Sequence, residues 1–232
     1  MTTKQYINIL SQVAEKNGRP FEMALSDWCD YLIRLFDENF YVGGFPKFQE
    51  KFSRSLNSEP QYATITLEWC KEVEQEMDKG QWLDLFGELY EEAYLVKKKA
   101  SDKGQFFTPH SLCDIASEIV GDNHHDVNSS HKVSDYASGS GRLLLAHFVK
   151  QVCSHGIKTA RLYHYEAADN DILACKMCAL NMMIHGMQGK VTCQDSLLQD
   201  EPKVIYIINN VRYPIASPYY SIKTITPTKK EE

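Results

Sequence analysis

The run "DYASGSGR" at residues 135–142 places a carboxylate, Asp135, ahead of a turn of small residues: Ala137, Gly139, Ser140 and Gly141. Alternating glycines let a backbone approach a ligand closely, and an acid beside them selects for ligand charge. The third glycine of the dinucleotide fingerprint is missing, because Leu144 occupies its place. Asp135 would repel a pyrophosphate and suits a cationic group. Glu166, expected at the end of the following strand, can accept hydrogen bonds from both hydroxyls of a ribose. The implied ligand carries a ribose and a positive charge. A second candidate lies in "IINNVRYP", where Asn210 offers a carbonyl acceptor and Tyr213 a ring; asparagines ending a strand also serve simply as turn formers.

Two elements must position these residues, a helical part and an α/β part. Phe21, Leu25, Trp28, Leu32, Leu35 and Phe36 recur at helical spacing, as do Tyr62, Ile65, Trp69, Val73 and Met77, and then Trp82, Leu85, Phe86, Leu89, Ala93 and Val96. Breaks fall at "VGGFP" (42–46) and "NSEP" (57–60). The expectation is a helical domain over 1–99. From 100 to 232 the pattern changes to α/β, with strands in "HKVSDYAS", "ARLYHYEA", "GKVTCQDS" and "PKVIYIIN" and helices starting near Arg142 and Asp169. Strand, helix, strand at this spacing predicts a parallel sheet with ligands at the strands' carboxyl ends. Asp135, Glu166, Asp195 and Asn210 are all expected there. Thr108 and Pro109 should open a helix as N-cap and first position, burying Leu112, Ile115, Ala116 and Ile119.

Composition narrows the class. With 43% hydrophobic and 24% charged residues, the chain can bury a core, and no window reaches the roughly 18 apolar residues of a membrane span. The start lacks an apolar signal core, so a cytoplasmic location is expected. Seven scattered cysteines suit reduced, buried thiols. Cys175 and Cys178 lack the second half of a zinc motif, and the histidines of "GDNHHDVNSSH" lack a metal spacing, so no metal site is expected. The net charge of −6 does not advertise nucleic-acid binding, although "KKKASDK" could either touch phosphates or be a solvated boundary run.

Taken in order, "GQFFTP", "DYASGSG", "YEAADND", "CALNMMIHG" and "CQDSLL", led by "DLFGELYEE", resemble the adenine-specific N6 DNA methyltransferases, most closely the modification subunits of type I restriction systems. The resemblance covers roughly residues 82–213. It implies a Rossmann-like S-adenosylmethionine-dependent fold, incomplete here, behind a helical N-terminal region. It also implies S-adenosylmethionine as cofactor, DNA as substrate, and specificity or restriction subunits as partners. Carried over, Phe107, Thr108 and Pro109 would meet the methionine part, Asp135, Ala137, Gly139, Ser140 and Gly141 would cradle the cofactor, Glu166 would hold its ribose, and Asp195 would lie near its adenine. Asn210 and Tyr213 would be catalytic, accepting from the adenine amine and stacking the flipped base. The family's two prolines between them are Val211 and Arg212 here. That departure leaves a rival reading, a non-catalytic module that binds cofactor, DNA or a partner on the methyltransferase scaffold. A dinucleotide-dependent oxidoreductase is a weaker third reading, opposed by Leu144 and by "GQFFTP".

Overall fold

The computed structural model describes residues 1–38, 60–96, 107–120, 131–198, 201–210 and 220–227. Among the described residues, four helices form the amino-terminal part: α1 (Thr3–Lys16), α2 (Phe21–Leu35), α3 (Pro60–Asp78) and α4 (Leu85–Val96). The capping box that starts α1, with Thr2 and Gln5 satisfying each other's backbone amides, is a signal the periodicity reading passed over. Pro60 opens α3, where a missing amide costs nothing. Trp28, Trp69 and Phe86 meet at the centre, with Trp28 and Trp69 each 5.0 Å from the Phe86 ring. Trp28 donates its indole N–H to Thr66 at 3.0 Å, so the buried ring keeps its polar end satisfied.

The α/β part runs α5 (His110–Val120), β1 (His131–Asp135), α6 (Arg142–His155), α7 (Ile157–Ala160), β2 (Tyr163–Asp169), α8 (Ile172–Ile184), β3 (Gln188–Cys193), β4 (Val204–Ile208) and β5 (Ile222–Ile225). All four expected strands form, and β5 is an addition. Their order is β1-β2-β3-β4-β5. β1, β2 and β3 are parallel, whereas β4 runs antiparallel to β3, and β5 antiparallel to β4. The expected all-parallel sheet is therefore a mixed one. The reason is chain length: residues 194–203 link β3 to β4, and a parallel crossover needs roughly a dozen residues or more.

Tyr163, Tyr165, Ala167, Val191, Cys193, Tyr206 and Ile208 are buried on one sheet face. Phe148 of α6 meets the Tyr165 ring, and Cys175 of α8 lies against the carbonyl of Thr192. α2 packs on α8, where Lys176 reaches Asp30 at 2.8 Å, and one hydrophobic core runs through both parts of the chain. No described helix is long and apolar enough to cross a membrane.

α5 departs from expectation. It begins at His110, one residue later than expected, with the Pro109 carbonyl accepting from the amides of Leu112 and Cys113. Its buried residues are Cys113 and Ser117, while Leu112, Ile115 and Ile119 are 53%, 54% and 79% exposed. The helix is docked by its polar edge, where Trp82 donates to Asp114 and Lys150 donates to the carbonyl of Ser117.

Candidate functional site

The glycine turn is built from the strand ends upward. Asp135 ends β1 and accepts from its own loop at Ala137 N–H (3.1 Å), an Asx turn that starts the reversal. Ser138 N–H donates to the carbonyl of Ala168, and Gly141 N–H to that of Ser138. Gly139 and Gly141 have φ of +54° and +91°, backbone states that favour glycine. Space enforces the same choice: a Cβ on Gly139 would lie 2.7 Å from the Phe107 ring, and one on Gly141 would lie 2.9 Å from Cys178 Sγ. The aromatic of the "GQFFTP" segment therefore packs directly on the glycine turn. Sequence reasoning brought these two segments to one place, and the structure does the same.

Two carboxylates stand at this edge. Asp169, the last residue of β2, accepts Gly139 N–H through Oδ2 and Asp171 N–H through Oδ1, each at 2.9 Å. Burial pushes the Asp135 carboxyl above its ordinary range, opposed by the Ala137 N–H and reinforced by the charge of Asp169. Among the described residues no Lys, Arg or His forms an ion pair with either acid. Asp195, just past β3, accepts from the amides of Leu197 and Leu198, and Ser196 donates to the carbonyl of Tyr136 at 2.8 Å. Asp135 and Asp169 are thus the last residues of β1 and β2, and Asp195 follows the carboxyl end of the neighbouring parallel β3.

Glu166 does not join them. The strand continues past it to Asp169, so Glu166 lies in mid-strand and on the sheet face opposite α6 and α8. There it bridges Lys132 at 2.5 Å and Lys190 at 3.3 Å. Burial raises its pKa, but the two ammonium groups outweigh that and hold the carboxyl below the usual range. Asn210 is also elsewhere. Ile208, two residues before it, pairs with Gly189 at the start of β3, so Asn210 follows the end of β4 at the sheet edge opposite the glycine turn. Its neighbour Asn209, at φ +49°, donates to the carbonyls of Met183 and Met187 and accepts from Ser221 N–H. Both ends of that amide are consumed in tying the end of β4 to α8 and to Ser221, next to the start of β5. Tyr213 lies outside the described residues, as do Val211 and Arg212.

A buried polar cluster lies beneath the turn, and of its members only Ser140 was assigned a role from the sequence. Asp84, fully buried, accepts from Gly87 N–H (2.9 Å), Ser140 Oγ (2.5 Å), Arg142 Nε (2.6 Å) and Asn181 Nδ2 (2.7 Å). Arg142 extends its remaining donors to both oxygens of Glu91 and to the carbonyl of Thr108. Asn181 also donates to the carbonyl of Ser140. His185, one helical turn on, closes the cluster. Its Nδ1 meets the Asn181 carbonyl, and its Nε2 accepts from Leu83 N–H, a pairing that requires the neutral ring.

Burial lowers the His185 pKa from 6.5 to about 4, against the opposing pull of the Asn181 carbonyl and the Asp84 charge. Unfolding frees the ring to take a proton at 6.5, so stability is full above that pH and declines as pH falls toward 4. The decline should reach roughly 3 kcal/mol. Urea titrations at pH 7 and pH 4 measure it, and His185→Gln should flatten the slope by about that amount.

The family model described as N-6 DNA Methylase matches residues 81–232. A type I restriction enzyme MjaIX methylase subunit of Methanocaldococcus jannaschii is 26% identical over 142 residues, 60% of this chain and 23% of that protein. The crystal structure of a type I restriction-modification methyltransferase subunit from Streptococcus thermophilus aligns with 84% of this chain and 40% of its own, at TM-score 0.41 and 20% identity. The chain therefore spans less than half the length of either relative. With the family match covering the glycine turn, the three strand-end acids and the whole mixed sheet, the chain belongs to the N-6 DNA methylase family and carries an α/β fold behind its helical part.

Proposed function

We propose that this chain binds S-adenosylmethionine at the glycine turn as an adenine-N6 DNA methyltransferase-like module of the type I class, and that by itself it does not transfer the methyl group. DNA is its substrate class, and specificity or restriction subunits are its partner class. The observation that carries the reading is the packing of Phe107 on Gly139 above two acids with which no described Lys, Arg or His forms an ion pair. Bound there, S-adenosylmethionine supplies an electrophilic methyl on a sulfonium. Asp135 and Asp169 match that charge and the cofactor's ammonium and hydroxyl groups, while a pyrophosphate would meet repulsion. The residues proposed to hold it are Phe107, Thr108, Pro109, Asp135, Ala137, Gly139, Ser140, Gly141 and Asp195, with Asp169 taking the ribose role that sequence reading gave to Glu166.

Asp169→Asn removes one charge from the site while keeping an acceptor for the Gly139 amide. It should weaken cofactor binding by roughly 1.5–3 kcal/mol. Glu166→Ala should leave affinity within about twofold, because Glu166 faces the other side of the sheet. Fluorescence competition against a labelled cofactor analogue reads both. The opposite pattern, Glu166 sensitive and Asp169 inert, would return the ribose to Glu166.

A further inference from the structure

We propose that Asp84, just before α4, with Gly87 and Glu91 on α4, forms a socket for Arg142, and that this socket sets the conformation of the cofactor turn, which makes the helical part a working component of the site. The inference rests on the cofactor reading given above. The spacing carries the geometry. Asp84 lies just before α4 and caps its third position, the Gly87 amide, so its carboxylate sits over the first turn of the helix. Gly87 leaves room for what docks there: a Cβ at that position would lie 2.0 Å from Asp84 Oδ2 and 2.9 Å from Arg142 Nη2. Glu91, one turn further, grips the outer edge of the guanidinium through both oxygens.

Arg142 is the first residue of α6 and directly follows Gly141, so anchoring its side chain anchors the exit of the turn. The same guanidinium donates to the Thr108 carbonyl and stands 5.3 Å from the Phe107 ring centroid. Ser140 donates its hydroxyl to Asp84, and its carbonyl accepts from Asn181, so the residue between the two glycines is held at both ends. The Asp84 carboxylate thereby fixes the glycine turn, and the arginine it holds fixes the "FTP" segment. Asp84, Gly87, Glu91 and Arg142 touch no ligand themselves and are positioning residues.

Gly87→Ala is the informative variant, because alanine is the better helix former and the substitution opposes the socket alone. Native-state hydrogen exchange should show the Ser138, Gly139 and Gly141 amides exchanging at least tenfold faster, with the amides of α2 and α3 unchanged. S-adenosylmethionine affinity should fall at least tenfold in the same variant. Glu91→Gln keeps an acceptor for the guanidinium and should restore near wild-type exchange and affinity where Glu91→Ala does not. Unchanged exchange at the three turn amides in both Gly87→Ala and Glu91→Ala would overturn the proposal. Uniform acceleration across α2, α3 and the turn would overturn it too, since that reports a packing role only. If wild-type chain binds no cofactor, the cofactor reading fails; selective loosening of the turn would still sustain the socket.

Discussion

Tritium from labelled S-adenosylmethionine is expected to remain out of duplex DNA when the purified chain is the only protein present. Methyl transfer requires reacting atoms held within about 3–3.5 Å. Asn210 follows β4, which runs antiparallel to β3, so it lies beyond the strand starts while the glycine turn lies beyond the strand ends. From the register of Ile208 with Gly189, the two are separated by about 20 Å along the strand direction, at roughly 3.3 Å per residue. Loss of a single well-placed electrostatic contact costs on the order of 10²–10³ in rate. A whole misplaced acceptor costs more, and transfer should be indistinguishable from the protein-free background. Asn210→Ala should then change nothing. Robust turnover that Asn210→Ala abolishes would mean that the chain assembles a productive site after all.

Arg142→Met should be among the most damaging single substitutions in the protein. It leaves the fully buried Asp84 carboxylate without its cation, where Arg142 itself is only 4% exposed. Breaking a buried pair by removing one partner costs about 3–5 kcal/mol, a large share of a typical domain's stability. Equilibrium urea unfolding of the variant at neutral pH gives the number. A loss below about 1 kcal/mol would show that water or a rearranged Ser140 and Asn181 compensates the carboxylate. Methionine keeps the stem of the side chain, so the measurement reports the charge and its hydrogen bonds rather than a cavity.

Much of this architecture was legible in residue patterns, and the failures have physical causes. The helical faces around Trp28, Trp69 and Phe86 follow from 3.6-residue periodicity, because one apolar stripe per helix has to be buried. The glycine turn was readable because φ values of +54° and +91° demand glycine. Direction was not read for β4, although residues 194–203 are too short for a parallel return; length alone carried that information. Glu166 was displaced by three residues from the true strand end because an acidic residue in an alternating strand gives no sign of where the strand stops. Asp171, which caps α8 by accepting from Leu173 and Ala174 amides, was the available marker. α5 misled because its apolar residues stay exposed, an outcome decided by tertiary docking at Asp114 and Ser117. The Asp84 and Arg142 pair spans 58 positions, and no local pattern reveals a partner at that distance.

Calorimetric titration of the whole chain with S-adenosylmethionine, repeated with NAD, separates a cofactor site from a dinucleotide site. Saturable one-site binding of S-adenosylmethionine is expected, and no heat from NAD beyond dilution, because a pyrophosphate would face Asp135 and Asp169. Absence of binding at millimolar S-adenosylmethionine, or tighter binding of NAD, would contradict the cofactor reading.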